Sequence, residues 1–300
     1  MLFEIRLHQP FNLDFTLNSG QTFRWRKVDE SWYGVIGSTA VKALQIKDKL
    51  ILKANEALEE DIVLRYFGLK DDLLKIYDSI DKDQHIHAAL KAYRGLRILK
   101  QDPWETLISF ITATYTNIRR VETTLGELCR RFGVASMFNK ERLYLFPTPQ
   151  AILSHGLKGL YETGLGYRAP WILEAAKIVE ANPDLLPSLA EQQYEEARLT
   201  LLNKKLFKGV GNKVADCILL FGYGKLEAFP IDRWVRRSLV RCYRQLFDTE
   251  LISKLKDKSF TNTAYNKVRL KMIDYFGGYA GYAQQYLFTY ERLGSNSLNP

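Results

Sequence analysis

The sequence is short of cysteine, histidine and long apolar runs, and each scarcity closes off a class of function. Its three cysteines, Cys129, Cys217 and Cys242, lie far apart in a chain of 300 residues. An odd, scattered set builds neither a disulfide framework nor a four-cysteine metal or iron–sulfur site. The four histidines, His8, His85, His87 and His155, lack partners at zinc-ligand spacing. No apolar run reaches membrane length, and no signal or transit peptide is evident. These features point to an intracellular, reduced protein. Acidic residues are the minority charge, 34 against 43 basic, which leaves a net charge of +9. Such a surplus suits a polyanionic partner, of which nucleic acid is the commonest. Hydrophobic residues make up 46% of the chain, enough for a sizeable core.

Residues 1–55 alternate apolar and polar with period two. Phe3–Leu7, Phe11–Phe15, Thr22–Arg26, Trp32–Ile36, Val41–Ile46 and Leu50–Leu52 read as strands, with turns at Asp29-Glu30-Ser31 and Lys47-Asp48-Lys49. The period then becomes helical over Glu59–Phe67, Leu73–Tyr93, Trp104–Thr114, Ile118–Phe132, Pro170–Ala181, Glu191–Lys205 and Tyr265–Phe276. The expected fold is α+β. An N-terminal antiparallel β lobe with flanking helices, 1–98, packs on a mostly helical domain, 99–300.

The stretch with the most chemistry runs from Leu206 to Leu239. Gly209-Val210-Gly211 separates two helical patterns, and Asn212 is the expected N-cap of the second. Glycines there permit a sharp turn, and backbone N–H groups at a helix start form an anion site. This reads as a helix-hairpin-helix with a phosphate-sized hole at its tip. Lys213 sits in the first turn of the second helix, where the dipole disfavours a cation and so favours the free amine, the form that attacks carbon. Cys217 follows four residues later on the same face. Asp232, after Pro230, can cap the next helix, Arg233–Cys242.

Gly209 to Cys217, followed by Pro230-Ile231-Asp232, resembles the helix-hairpin-helix, Gly/Pro-rich-loop, aspartate superfamily of DNA glycosylases. The lysine and cysteine narrow the resemblance to the 8-oxoguanine DNA glycosylase/AP lyase branch. It implies Lys213 as nucleophile and Asp232 as the essential carboxylate. Asn18-Ser19-Gly20-Gln21-Thr22-Phe23-Arg24-Trp25 is similar to the stretch that offers the base a glycine carbonyl, here Gly20. Oxidised guanine carries a hydrogen on N7 where guanine has a lone pair, so a fixed acceptor attracts one and repels the other. By the same resemblance Gln284 bonds the Watson–Crick edge of the flipped base, and Phe288 stacks on it opposite Cys217. Asn117 matches the last asparagine of the segment that fills the gap in the duplex; Tyr115 and Thr116 depart from it. Arg120 matches an arginine reading the opposite cytosine, Tyr167 a wedge, and Arg168 a contact to the estranged base. Trp234 stands where well-known members have histidine, which puts stringency for cytosine in doubt. Gly209, Gly211, Tyr115 and Trp234 complete the expected DNA face.

The resemblance implies a bifunctional enzyme that excises 8-oxoguanine from double-stranded DNA through a lysine Schiff base, in base excision repair. It needs no redox cofactor or catalytic metal, and a cation on the hairpin carbonyls would be structural. The expected state is a monomer, and the short N-terminus looks prokaryotic, which would put the protein in the cytoplasm or nucleoid. Two other readings stay open. A monofunctional glycosylase for alkylated bases keeps the aspartate but normally lacks the lysine. A non-catalytic helix-hairpin-helix binder needs the glycines but has no use for Asp232.

Overall fold

A computed structural model of the chain describes residues 1–257 and 260–294. Five strands form an antiparallel sheet in the order β1-β5-β4-β3-β2. They are β1 (Leu2–Arg6), β2 (Arg26–Val28), β3 (Ser31–Ile36), β4 (Thr39–Ile46) and β5 (Lys49–Ala54). Val28↔Ser31, Ile36↔Thr39 and Ile46↔Lys49 close three two-residue turns. Asp29, Gly37 and Lys47 supply the positive φ that such tight turns require.

Two expected strands are corrected. Phe11–Phe15 is not extended: Asn12 Oδ1 accepts from Phe15 N at 2.8 Å and opens helix α1 (Leu13–Asn18). Leu13, Thr16 and Leu17 are buried, so a three-to-four spacing wins over the period-two reading. Thr22–Trp25 stays irregular because its side chains are anchored in different places. Phe23 meets Phe110 edge-on at 5.6 Å, and Trp25 Nε1 donates to Tyr66 Oη at 2.7 Å.

Three helices follow the sheet: α2 (Glu60–Tyr66), α3 (Leu73–Ile80) and α4 (Gln84–Ala92). The single helical run expected over Leu73–Tyr93 is two helices, because Asp83 Oδ1 accepts from His85 N and Ile86 N and starts a new one. Next come α5 (Pro103–Thr112) and α6 (Ile118–Phe132). A two-stranded hairpin, β6 (Ala135–Phe138) and β7 (Glu141–Tyr144), was not legible as strands. Its signal is Asn139-Lys140, both at positive φ. The helical body continues with α7 (Pro149–Glu162), α8 (Ala169–Ala181), α9 (Leu185–Ser188) and α10 (Tyr194–Leu202). It ends with α11 (Asn212–Tyr223), α12 (Arg233–Cys242), α13 (Thr249–Lys256), α14 (Asn262–Phe276) and α15 (Ala280–Gly294).

Helix α5 is buried from Thr106 through Thr112, and α11 from Val214 through Phe221, so the two form the centre of the core. Phe110 of α5 stacks on Phe221 of α11 at 5.5 Å. The sheet is tied to this core by buried polar bonds. Arg24 forks onto Glu105 at 2.7 and 2.6 Å and reaches Tyr144 O at 2.8 Å. Such a bidentate pair fixes orientation as well as distance. The buried Gln21 amide accepts from Leu99 N and donates to the Thr16 and Arg97 carbonyls.

Candidate active site and nucleic-acid interface

The turn between α10 and α11 is built as the sequence suggests, with one correction. Gly209 has φ +84°, and a Cβ there would sit 2.6 Å from the Trp171 ring, so only glycine fits. Gly211 has an ordinary extended backbone and open space around it. Gly211, not Asn212, is the N-cap of α11. Asn212 is buried in the first turn, accepting from Arg198 at 2.7 Å and donating to Asn262 at 3.0 Å. No side chain caps α11, so its first N–H groups stay available to an anion. At the tip, Lys204 Nζ donates to the Val210 carbonyl, placing an ammonium of the chain itself on the hairpin.

Lys213 is half-buried, with Nζ 5.0 Å from the centroid of Phe110. Cys217, one turn on, is buried, and its thiol is pushed up to about 12. Burial is the main cause; the Lys213 charge beside it pulls the other way, and Asp216 and Asp232 add to the rise. Asp232 arrives from a different segment. Its Oδ1 accepts from Trp234 N and Val235 N, both at 2.9 Å, and so caps α12 as expected. Among the described residues Oδ2 has no hydrogen-bond partner. Burial raises the Asp232 carboxyl above the usual range, against the opposing pull of those amides and of Lys213. One amine, one carboxylate and one thiol thus act on each other across the starts of two helices.

Behind them lies a network to which the sequence reading assigned no role. Asp216 is fully buried and accepts from Tyr194 Oη at 2.8 Å, Arg198 Nε at 2.7 Å and Tyr265 Oη at 2.6 Å. Tyr265 Oη also accepts from Ile231 N at 3.1 Å, next to Asp232. The network therefore joins the helix that carries Lys213 to the loop that carries Asp232. The readable signal was a lone charge inside Val214-Ala215-Asp216-Cys217-Ile218-Leu219-Leu220.

The remaining expected site residues fall into two groups. Among those expected to meet the base, Gly20 has φ +77°, and a Cβ there would meet Ile118 Cδ1 at 3.0 Å and Phe288 Cε1 at 3.3 Å. Gln284, four residues before Phe288 on α15, is buried and its Oε1 has no partner among the described residues. Among those expected to meet the duplex, Tyr115 is 94% exposed with φ +52°. Asn117 caps α6 by accepting from Arg120 N at 2.9 Å. The Arg120 guanidinium lies beside Gly164. Tyr167 Oη, at 3.2 Å, and Arg168 both donate to the Thr114 carbonyl, and Arg168 Cζ lies 4.4 Å from the centre of the Tyr167 ring. Tyr167 is edge-on to Trp171 at 5.2 Å, the ring that packs under Gly209. Trp234 sits in the first turn of α12 under the Arg233 guanidinium, at 4.9 Å. The hairpin, Tyr167 and the exposed Tyr115 loop are thus one connected surface.

Comparison with known proteins then settles the lineage. Residues 4–107 match the 8-oxoguanine DNA glycosylase N-terminal domain, and residues 108–255 match the HhH-GPD superfamily of base excision DNA repair proteins. The N-glycosylase/DNA lyase of Saccharomyces cerevisiae is 31% identical over 93% of this chain and 83% of its own. The chain belongs to the 8-oxoguanine DNA glycosylase/AP lyase family. The structure of MBOgg1 in complex with a low-affinity DNA ligand is 33% identical, with a TM-score of 0.87, covering 98% of this chain and 96% of that one. The Clostridium acetobutylicum 8-oxoguanine glycosylase/lyase, bound to double-stranded DNA with cytosine opposite 8-oxoguanine, is 26% identical. Its TM-score is 0.84, with 98% of both chains covered. A family member of this kind binds DNA, and none of the helices among the described residues is long and apolar enough to cross a membrane.

Proposed function

We propose that this chain is a bifunctional glycosylase/AP lyase that removes 8-oxoguanine from duplex DNA, with Lys213 as nucleophile and Asp232 as its electrostatic partner. The observation that supports the residue roles is that Lys213 and Asp232, from segments nineteen residues apart in sequence, act electrostatically on each other and on Cys217. The uncapped start of α11 at the hairpin and the basic surface grip phosphates without reading sequence. The damaged nucleotide is flipped out and tested by Gly20, Cys217, Gln284 and Phe288, while Tyr115, Tyr167, Arg120 and Arg168 occupy the duplex it left. The Lys213 amine attacks C1′ of the deoxyribose, the glycosidic bond breaks, and the base leaves with a proton. Asp232 stabilises the positive charge that develops on the sugar, a term that is large in a preorganised site. The ring then opens to a Schiff base on Lys213. Loss of a 2′ proton expels the 3′ phosphate and nicks the strand. The protein acts as a monomer, inside the cell where the genome is, on duplexes carrying 8-oxoguanine.

The test is single-turnover base release from three duplexes: one 8-oxoguanine, one alkylated adenine, and undamaged. Release of 8-oxoguanine alone supports the proposal. Release of the alkylated base alone replaces it with the monofunctional reading.

A further inference from the structure

Helix α15 carries two parallel stripes. Gln284 and Phe288 form one, facing the base side. Gln285 lies on the other, and Arg292, seven residues past Gln285 and four past Phe288, sits between the two with Cζ 5.4 Å from the centre of the Phe288 ring. Gln285 and Arg292 both reach the loop that carries Gly20. Gln285 Nε2 donates to the Ser19 carbonyl at 2.9 Å, and an Arg292 Nη donates to the Asn18 carbonyl. On the other side of the loop, Gln101 Nε2 donates to the Gln21 carbonyl at 2.7 Å. The carbonyls of residues 18, 19 and 21 are therefore all taken. Among the described residues the Gly20 carbonyl accepts nothing, although the edge of the half-buried Phe288 ring lies against that glycine.

From this we infer that Gln285 and Arg292 are positioning residues for selectivity. By holding the two carbonyls before Gly20, they fix where the one unbonded acceptor sits relative to the Gln284–Phe288 stripe. The inference rests on the reading of Gly20 as the acceptor that tests N7. A hydrogen bond that separates N–H from a lone pair works only when the acceptor cannot yield, since retreat of the carbonyl would relieve its repulsion with guanine. A loop free to move by about 1 Å loses one to two orders of magnitude of such discrimination. The same two donors also hold the loop to the helix that carries the stacking ring, so acceptor and ring move together.

The experiment uses Gln285→Leu and Arg292→Met, each alone, with Arg292→Lys as the conservative control. Affinities for 8-oxoguanine and guanine duplexes are measured in the Lys213→Gln background, where no excision competes. Strand scission at a preformed abasic site, which has no base to test, is measured in the otherwise unaltered chain. The expected result is at least a tenfold fall in the 8-oxoguanine/guanine affinity ratio for both variants. Arg292→Lys recovers part of the ratio, and abasic-site scission stays within about threefold. An unchanged ratio, or a loss of abasic scission in parallel with the ratio in both variants, overturns the inference. If the Lys213→Gln parent itself fails to prefer 8-oxoguanine, the reading of Gly20 is what fails.

Discussion

Replacing Asp232 by Asn separates two jobs that one carboxylate performs. Oδ1 caps α12 through Trp234 N and Val235 N, and an asparagine carbonyl accepts the same two bonds. Aspartate and asparagine are near equals as caps, whereas alanine costs about 1 kcal/mol. The charge is the other job. A preorganised group facing charge that develops in the transition state contributes about 3–4 kcal/mol, or 10²–10³ in rate. The substitution is therefore expected to slow base release by at least about a hundredfold. The melting temperature should stay within about 2 °C, since about 1 kcal/mol moves a domain of this size by only a few degrees. The pH dependence follows from the raised carboxyl of Asp232. A carboxyl raised by burial holds its proton more tightly folded than unfolded, so it costs the fold stability as pH climbs from the ordinary aspartate range through the raised value. Asparagine has no such cost, so its stability relative to wild type should improve across that window and then level off. Base release by wild type should rise with pH over the same window, because the ionised form is the active one. Thermal melts against pH and single-turnover excision check both halves. Near-normal excision by Asp232→Asn would refute the electrostatic role. A collapse in stability would show that the cap argument is wrong.

Other substitutions probe the surroundings. Gly209→Ala must strain a backbone at φ +84° and push against the Trp171 ring, and should cost about 1–3 kcal/mol in denaturant unfolding. Gly211→Ala meets no atom and should leave stability within about 0.5 kcal/mol, while DNA affinity falls because a methyl group crowds the first N–H groups of α11. Asp216→Ala strands the buried Arg198 charge and should cost about 3–5 kcal/mol, read from urea unfolding. Tyr115→Ala removes a ring that is 94% exposed, so the melting temperature should not move. Binding to an 8-oxoguanine duplex should weaken by about 1–3 kcal/mol if the ring stacks in the vacated space.

How far the sequence could be read depended on whether the signal was local. The glycine turn, Lys213, and Asp232 as a cap all rest on a few adjacent residues, and the structure places each where those residues imply. Boundaries set by one side chain were missed. Asn12 opens a helix inside an alternating stretch, and Asp83 splits a helical run. The cap at Gly211 was misplaced by one residue because Asn212, a good capping type, is drawn inward by Arg198 and Asn262. What could not be read was long-range. Tyr265 meeting both Asp216 and Ile231, and Gln285 reaching back to Ser19, join residues far apart in sequence, and neither partner carries a local mark of the other.

In the proposed reaction Lys213 becomes covalently joined to the sugar. Borohydride trapping on a duplex with one 8-oxoguanine opposite cytosine tests it most directly, with wild type beside Lys213→Gln. A protein–DNA adduct is expected with wild type, and none with the variant, although the variant still binds the duplex. Trapping by the variant at the wild-type level, or release of the base by wild type with no adduct, would contradict it.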